Sequence, residues 1–232
     1  MTLLELRTLV RQEADQVNSQ FITESELNSY INASYGELYD VLVSRFEDYF
    51  IYMDPSTGLA PTFTLSGSTY MYPVPTNLYK LRGLDYQNNG VSDWIELTKY
   101  NFAERNSRSR ASNRIMLGVD RKSYRILGAN IVVLPEGNAS GTYRIFYIPR
   151  FTPLVADADQ MSNVLDFEEY VIVDAAMKCL AKEESDVSIM LNRKAALLRR
   201  VEAMASNRDS GQPERVADVS LNVDDFDYTF SR

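Results

Sequence analysis

Thr142-Tyr143-Arg144-Ile145-Phe146-Tyr147-Ile148 alternates without a break, with Tyr143, Ile145 and Tyr147 on one face and Arg144, Phe146 and Ile148 on the other. A repeat of two is the signature of a strand. Pro149, Pro153 and Ala156-Asp157-Ala158-Asp159 follow and mark a linker. From Val164 to Glu183 the chain is apolar nearly all round, through Leu165, Phe167, Tyr170, Val171, Ile172, Val173, Ala175, Ala176 and Leu180. A helix of that kind is wrapped on most sides. The switch from strand to central helix therefore closes a β region and opens a helical one.

Upstream of the switch the β region reaches back to about Pro61. Phe63 and Leu65 precede a Ser66-Gly67-Ser68 turn, with Tyr70 and Tyr72 beyond it. Leu78 to Tyr86 alternates, Asn89-Gly90 is a strong hairpin signal, and Trp94 to Leu97 supplies the return strand. Thr98 is placed to cap a short helix through Arg105, and two further strands read from Tyr124 to Leu127 and from Ile131 to Leu134. The first fifty residues are helical instead. Thr2 with Glu5 and Thr23 with Glu26 are capping boxes. Leu3, Leu6, Val10 and Val17 follow the first, which should stop near Asn18. A wide stripe from Leu27 through Tyr35, Leu38, Leu42 and Phe46 to Phe50 follows the second, ended by Pro55 and Gly58. Helices this close in sequence are expected to pack as an antiparallel hairpin. A last helix, about Asp186 to Asn207, should bury Met190, Leu197, Val201 and Met204, with Arg193, Lys194, Arg199 and Arg200 favouring its C-terminal dipole end.

These segments define an α+β chain. Residues 1–58 and 160–208 make a helical domain, residues 59–159 an inserted small antiparallel β-sandwich or barrel, and residues 209–232 an extended C-terminal arm. The 232 residues suffice for a core without disulfides or metals, and 45% apolar and 24% charged residues is ordinary globular composition. No apolar run approaches the roughly 20 residues that span a bilayer, and no signal peptide is visible. The expectation is a soluble protein made in a cytoplasm, without membrane contact.

The chemistry of catalysis is thinly represented. There is no histidine, which removes the commonest general base and metal ligand and with them Ser-His-Asp, Cys-His and zinc hydrolases. The single Cys179 lies among Ala176, Met177, Leu180 and Ala181 and reads as a small buried hydrophobe. Asp157 with Asp159, and Asp224 with Asp225 and Asp227, lack the glycine and distal glutamate of a calcium loop. The ten glycines fall singly at turns, so no phosphate loop exists. No catalytic residue, metal site or cofactor is expected, and the protein reads as a non-enzyme.

Two surfaces remain as candidates for partner contact. Arg105, Arg108, Arg110, Arg114, Arg121, Lys122 and Arg125 form a basic cluster, with Ser107 to Asn113 read as a loop between strands. A protein–protein contact such as intersubunit pairing, a solvated loop and a DNA contact are the three readings, the first favoured because the net charge is −8. The arm sets Val219, Leu221, Val223, Phe226, Tyr228 and Phe230 among polar residues with a period of two. That pattern suits an extended segment docking on a partner. Among the fifteen tyrosines, Tyr100, Tyr124 and Tyr228 are read as surplus available to interfaces. The acidic surplus, with a pI near 4.7, fits either simple solubility or a wall along which DNA slides.

The layout resembles the head–tail adaptor (connector or head-completion) proteins of tailed bacteriophages, the short-tailed type above all. The resemblance lies in Ile22-Thr23-Glu24-Ser25-Glu26-Leu27-Asn28-Ser29-Tyr30-Ile31-Asn32, in Tyr72-Pro73-Val74-Pro75 leading to Leu78-Tyr79-Lys80-Leu81, in Trp94-Ile95-Glu96-Leu97 and in Phe102-Ala103-Glu104-Arg105. It implies a non-enzymatic virion protein at the head–tail junction, assembled as a homo-oligomeric ring, commonly a dodecamer. The ring joins the portal protein to a tail nozzle or tube protein, and DNA passes through without sequence-specific binding. It also implies that the C-terminal arm reaches the portal. Two other readings stand beside it. One is a β-sandwich module for carbohydrate or a host surface, which an exposed Trp94 with Tyr neighbours would support; the other is a hydrolase working through carboxylates and Lys.

Overall fold

A computed structural model describes residues 1–17, 21–87, 93–109, 122–162, 164 and 166–206. Helix α1 (Leu3–Glu13) starts on the expected reciprocal box: the Thr2 hydroxyl accepts from Glu5 N–H at 3.3 Å, and the Glu5 carboxylate accepts from Thr2 N–H at 2.9 Å. It stops before Asn18. Asp15 adopts φ 53°, and Asp15 and Gln16 donate back to the Gln12 and Arg11 carbonyls, which satisfies the last turn. Val17 is left exposed.

Helix α2 (Glu24–Arg45) forms only half of its box. Thr23 accepts from Glu26 N–H at 3.3 Å, but the Glu26 carboxylate is taken by Lys182 at 2.6 Å and by Tyr30 at 3.1 Å. The helix also ends sooner than its apolar stripe, giving way to a 3-10 turn at Glu47–Phe50; Phe50 is buried and Tyr49 exposed. Arg7 bonds Asn28 and Arg11 bonds the Ile22 carbonyl, so α1 and α2 run antiparallel.

The β-module contains β1 (Thr62–Leu65), β2 (Met71–Pro73), β3 (Leu78–Gln87), β4 (Trp94–Glu96), β5 (Thr98–Lys99), a short helix α3 (Arg105–Ser109), β6 (Ser123–Leu127), β7 (Asn130–Leu134) and β8 (Gly141–Pro149). They build two four-stranded sheets, β1-β8-β3-β4 and β2-β7-β6-β5. Pairing is antiparallel except between β5 and β6, which run parallel, a departure from the all-antiparallel expectation. The Ser66-Gly67-Ser68 turn does not join a hairpin: β1 pairs with β8 and β2 with β7, so the turn carries the chain from one sheet to the other. The Asn89-Gly90 turn lies outside the described residues, though β3 and β4 pair as it requires, with Gln87 opposite Trp94.

The inner faces of the sheets share one core, including Phe63, Leu84, Tyr143, Ile145, Tyr124, Ile131 and Val133. Phe63 stacks on Tyr72 across it at 3.9 Å. Strand β7 is buried on both faces, because Tyr100 packs with Val132 and Leu134 on the outer side. Tyr100 and Tyr124, read from sequence as available to an interface, are core residues at 1% and 6% exposure. The expected Thr98 cap is also corrected. Thr98 is in β5, and Asn101 caps a 3-10 turn (Phe102–Glu104) that runs into α3; Ser107 and Ser109 are therefore helical rather than in a loop.

After β8 the chain enters the helical body through helices α4 (Glu168–Lys182) and α5 (Ser188–Ser206). Helix α4 lies against α1, α2 and α5 and is the central helix, with Val171, Ala175, Ala176 and Cys179 in the same cluster as Leu38 and Leu42. Phe46 does not join that cluster but stacks on Tyr49 at 5.9 Å, and Leu165 lies outside the described residues. Burial raises the Cys179 thiol to about 11, as suits a packing residue. Two sequence expectations for these helices fail. Ile172 is only partly buried, and on α5 Val201 is buried while Met204 is 58% exposed.

The two cores meet along a seam. Ile148, at the end of β8, is fully buried in the helical cluster, although its neighbour Tyr147 belongs to the β core. Phe151 packs edge-on against Tyr35 at 5.1 Å and over Gly36, where a Cβ would come within 3.1 Å of its ring. The Tyr39 hydroxyl donates to the Pro149 carbonyl at 2.6 Å.

Candidate interaction surfaces

The basic cluster divides into parts with different roles. On the outer side of the second sheet, Phe102 is 45% exposed and its ring is flanked by the guanidiniums of Arg105 at 4.4 Å and Arg125 at 5.9 Å. Arg105 Nη1 also donates to the Phe102 carbonyl at 3.2 Å, and Arg125 Nη1 donates to the Tyr100 carbonyl at 3.0 Å. Lys99 is exposed on β5, opposite Tyr124 and so on the other side of the sheet from Tyr100. Burial raises the hydroxyl of the underlying Tyr100; Arg125 and Arg105 oppose that rise and Glu136 adds to it. Arg108 is spent within its own helix on Glu104, at 2.8 Å and four residues away. Arg110, Arg114 and Arg121 lie outside the described residues.

Lys122 departs from the sequence reading, which put it against a partner. It is 6% exposed, donates to the Ser140 carbonyl at 2.8 Å and lies 3.4 Å above the Tyr86 ring, so it belongs to the interior of the β-module. Trp94 is half-buried, with the Arg144 guanidinium 4.5 Å over its ring and that guanidinium bound to Asp85 at 2.5 Å. One face of the Trp94 ring is thus covered by Arg144. The arm residues Val219, Leu221, Val223, Phe226, Tyr228 and Phe230 all lie outside the described residues.

Sequence reasoning missed an ionic cluster among α2, α4 and α5. Asp174 is fully buried. Its Oδ2 accepts from Lys178 at 2.5 Å and its Oδ1 stands 2.7 Å from Lys194 Nζ, an ion pair without hydrogen-bond alignment. Lys178 also donates to Ser34 at 2.9 Å, and both lysines reach Glu37, at 3.3 and 2.9 Å. Burial pushes the Asp174 carboxyl up, but the bonds from Lys178, Lys194 and Ser34 outweigh it and hold the carboxyl below its ordinary value. Burial likewise disfavours the Lys194 ammonium, and Asp174 and Glu37 more than reverse that, raising its pKa. Arg193 joins Glu13 and Glu169, so it and Lys194 serve carboxylates on α1, α2 and α4. The available signal was Asp174 with Lys178 one turn later, inside an otherwise apolar run.

Among the described residues no group of three or more His, Cys, Asp or Glu is placed to hold a metal ion, and no helix is long and apolar enough to cross a membrane. The described residues present a cationic, aromatic face on the β-module and a helical body tied to it by an apolar seam. No curated protein matches the chain. A family model described as the SU10 adaptor protein matches residues 1–220, and the chain belongs to that family of bacteriophage head–tail adaptor proteins.

Proposed function

We propose that this structural virion protein assembles as a ring, a dodecamer in the form its relatives commonly take, that joins the portal to a tail nozzle or tube protein and continues the DNA channel. The observation that carries this reading is the reach of the family match, which runs through both helical segments, the β-module and the first part of the arm. In this reading residues 1–58 and 160–208 build the ring body, residues 59–159 face outward or toward the tail, and residues 209–232 dock on the portal. Arg105, Arg108, Arg110, Arg114 and Arg121 serve the contact with a neighbouring subunit or tail protein; Lys122, being internal, is left out. The seam through Ile148, Phe151 and Tyr39 supports a joint, because it locks the module that meets one partner to the body that meets another.

The arm is tested by co-sedimentation with portal rings. Deleting residues 213–232 removes none of the buried residues described above, so the truncated protein should stay folded and soluble yet fail to attach. Full-strength attachment of the truncated protein would transfer the portal contact to the helical body. Ring assembly is read separately, by light scattering and electron microscopy of the full chain with and without portal. A subunit that stays monomeric on the portal would refute the ring.

A further inference from the structure

Pro149, Pro153 and Ala156-Asp157-Ala158-Asp159 read as a linker, yet the segment is held along its length. One face of α2 carries Asn28, Asn32, Tyr35, Gly36 and Tyr39, at the spacing that aligns residues on a helix. The chain after β8 runs along that face in reverse order. Tyr39 donates to the Pro149 carbonyl, and the Phe151 ring lies against Tyr35 and Gly36. The Asn32 amide grips Leu154 twice, accepting from its N–H at 2.8 Å and donating to its carbonyl at 3.0 Å. Arg7, only 9% exposed, then links Asn28 at 2.7 Å to Asp157 at 2.8 Å. The far end is closed as firmly. The Asp159 carboxylate accepts from the Val155 and Ala156 N–H groups, both at 2.8 Å. The Asp159 and Asp157 carbonyls accept from Leu3 and Leu4, the N–H groups that the first turn of α1 leaves free. Tyr35 donates to the Ser162 carbonyl at 2.8 Å.

The near end is gripped by the other unit. Arg150 donates from its backbone N–H to the Asn77 carbonyl at 2.7 Å and from Nε to the Leu78 carbonyl at 3.3 Å. The chain crosses between the two cores twice, with almost no slack. Phe50 lies in the helical core and Tyr52 against the β core; Tyr147 lies in the β core and Ile148 in the helical one. Two crossings define an axis, and a body held at two points is still free to rock about the line through them. We infer that residues 150–162 form a brace that stops this rocking and holds the β-module at one angle to the helical body, with Asn32 and Asp159 as its positioning residues. A segment without a strand or helix ladder must satisfy its backbone by other means, and a side-chain amide offers donor and acceptor at a single point. Because the module grips Arg150 while α1 and α2 hold the rest, a tilt of the module has to break those bonds. The brace is a property of the single subunit and stands apart from the ring and the portal contact, so its test uses neither.

The test is a distance distribution between nitroxides on the two units, measured by pulsed electron paramagnetic resonance. The labels go on Gln12→Cys in the body and Thr64→Cys in the module, both exposed positions, while Cys179 is too buried to react. We expect one narrow distribution that half-molar salt leaves unchanged. Asn32→Ala and Asp159→Ala should each at least double its width. Alanine suits a helix interior, so Asn32→Ala removes the grip and keeps α2. Hydrogen exchange checks this on the same protein: Leu154, Leu3 and Leu4 should exchange about tenfold faster in Asn32→Ala, and Tyr52 and Ile145 at their former rates. A broad distribution in the unsubstituted chain would overturn the inference, as would a width or a Leu154 exchange rate indifferent to Asn32→Ala. Broadening by salt alone would hand the angle to the exposed pairs of Arg82 with Glu47 and Asp48, and would overturn it too.

Discussion

The helical body and the β-module each bury a charged side chain, and the groups that surround it differ. In the helical body Asp174 is enclosed where α2, α4 and α5 meet, and two ammonium groups from two different helices close on it. In the β-module Lys122 is enclosed within one unit, held by a backbone carbonyl and an aromatic face. The ionic solution ties separate elements together, because its partners arrive from different helices. The aromatic one depends on rings that the sheet already positions. A buried ion pair contributes little net stability compared with apolar packing, yet losing one member is costly. The difference suggests that α5 is fixed in register by charge and that the β-module is fixed by ring packing.

The strongest way to break this contrast is to place a lone charge in the helical core. Val171→Asp buries an unpaired carboxylate at a fully enclosed position, and we expect a loss of about 4 kcal/mol or more and largely insoluble protein. Ile172→Asp, one residue on and only partly buried, should remain soluble with a smaller loss. Equal damage from the two, measured by solubility and urea denaturation, would mean that α4 is less oriented than described.

Asp174→Asn should cost about 3 kcal/mol, since it leaves Glu37 as the one carboxylate shared by Lys178 and Lys194. It should also change the acid response. A carboxyl held below its ordinary value in the folded state contributes stability above about pH 4 that is lost as pH falls toward the folded value. The native chain should therefore lose stability as pH drops below about 4, and Asp174→Asn should lose less over that window. Parallel acid curves for the two proteins would deny Asp174 its role.

In the β-module, Gly141→Ala is the matching probe. Gly141 has φ 142°, and an added Cβ would strike the Tyr86 ring that covers Lys122. We expect a cost of about 2 kcal/mol, with the loss of protection in hydrogen exchange greatest in the β-module. Uniform loss across α4 and α5 would show the seam to be stiffer than either core. The smallest effect belongs to the seam's surface ions. Arg82 pairs with Glu47 and with Asp48, but it is 36% exposed, and Arg82→Ala should cost less than about 1 kcal/mol.

Much of the fold was legible because local rules coincide with the final contacts. Thr2 with Glu5 begins α1 wherever that helix lies, and the alternation of residues 142–148 is a strand in any sheet. Ends of helices were misread where a tertiary partner took a capping group or a local turn cut the helix short. Glu26 left its cap for Lys182, and Asp15 turned the chain before the apolar spacing ran out. Of the candidate surfaces, the basic run was visible by composition, but its sorting was not. Arg105 is outward, Arg108 is paired and Lys122 is inside, and nothing in their spacing separates them.

By itself the sequence determined the order of helix, β-module and helix, the central place of the helix after Val164 and the burial of Cys179, because period and composition act over a few residues and need no distant partner. Tertiary structure alone decided the strand order, the parallel β5–β6 pair, the passage of Ile148 into the helical core and the ions around Asp174. Those depend on which surfaces meet across long stretches of chain. A charge such as Asp174 is tolerable only once Lys194, twenty residues on and on another helix, has been brought within 2.7 Å of it.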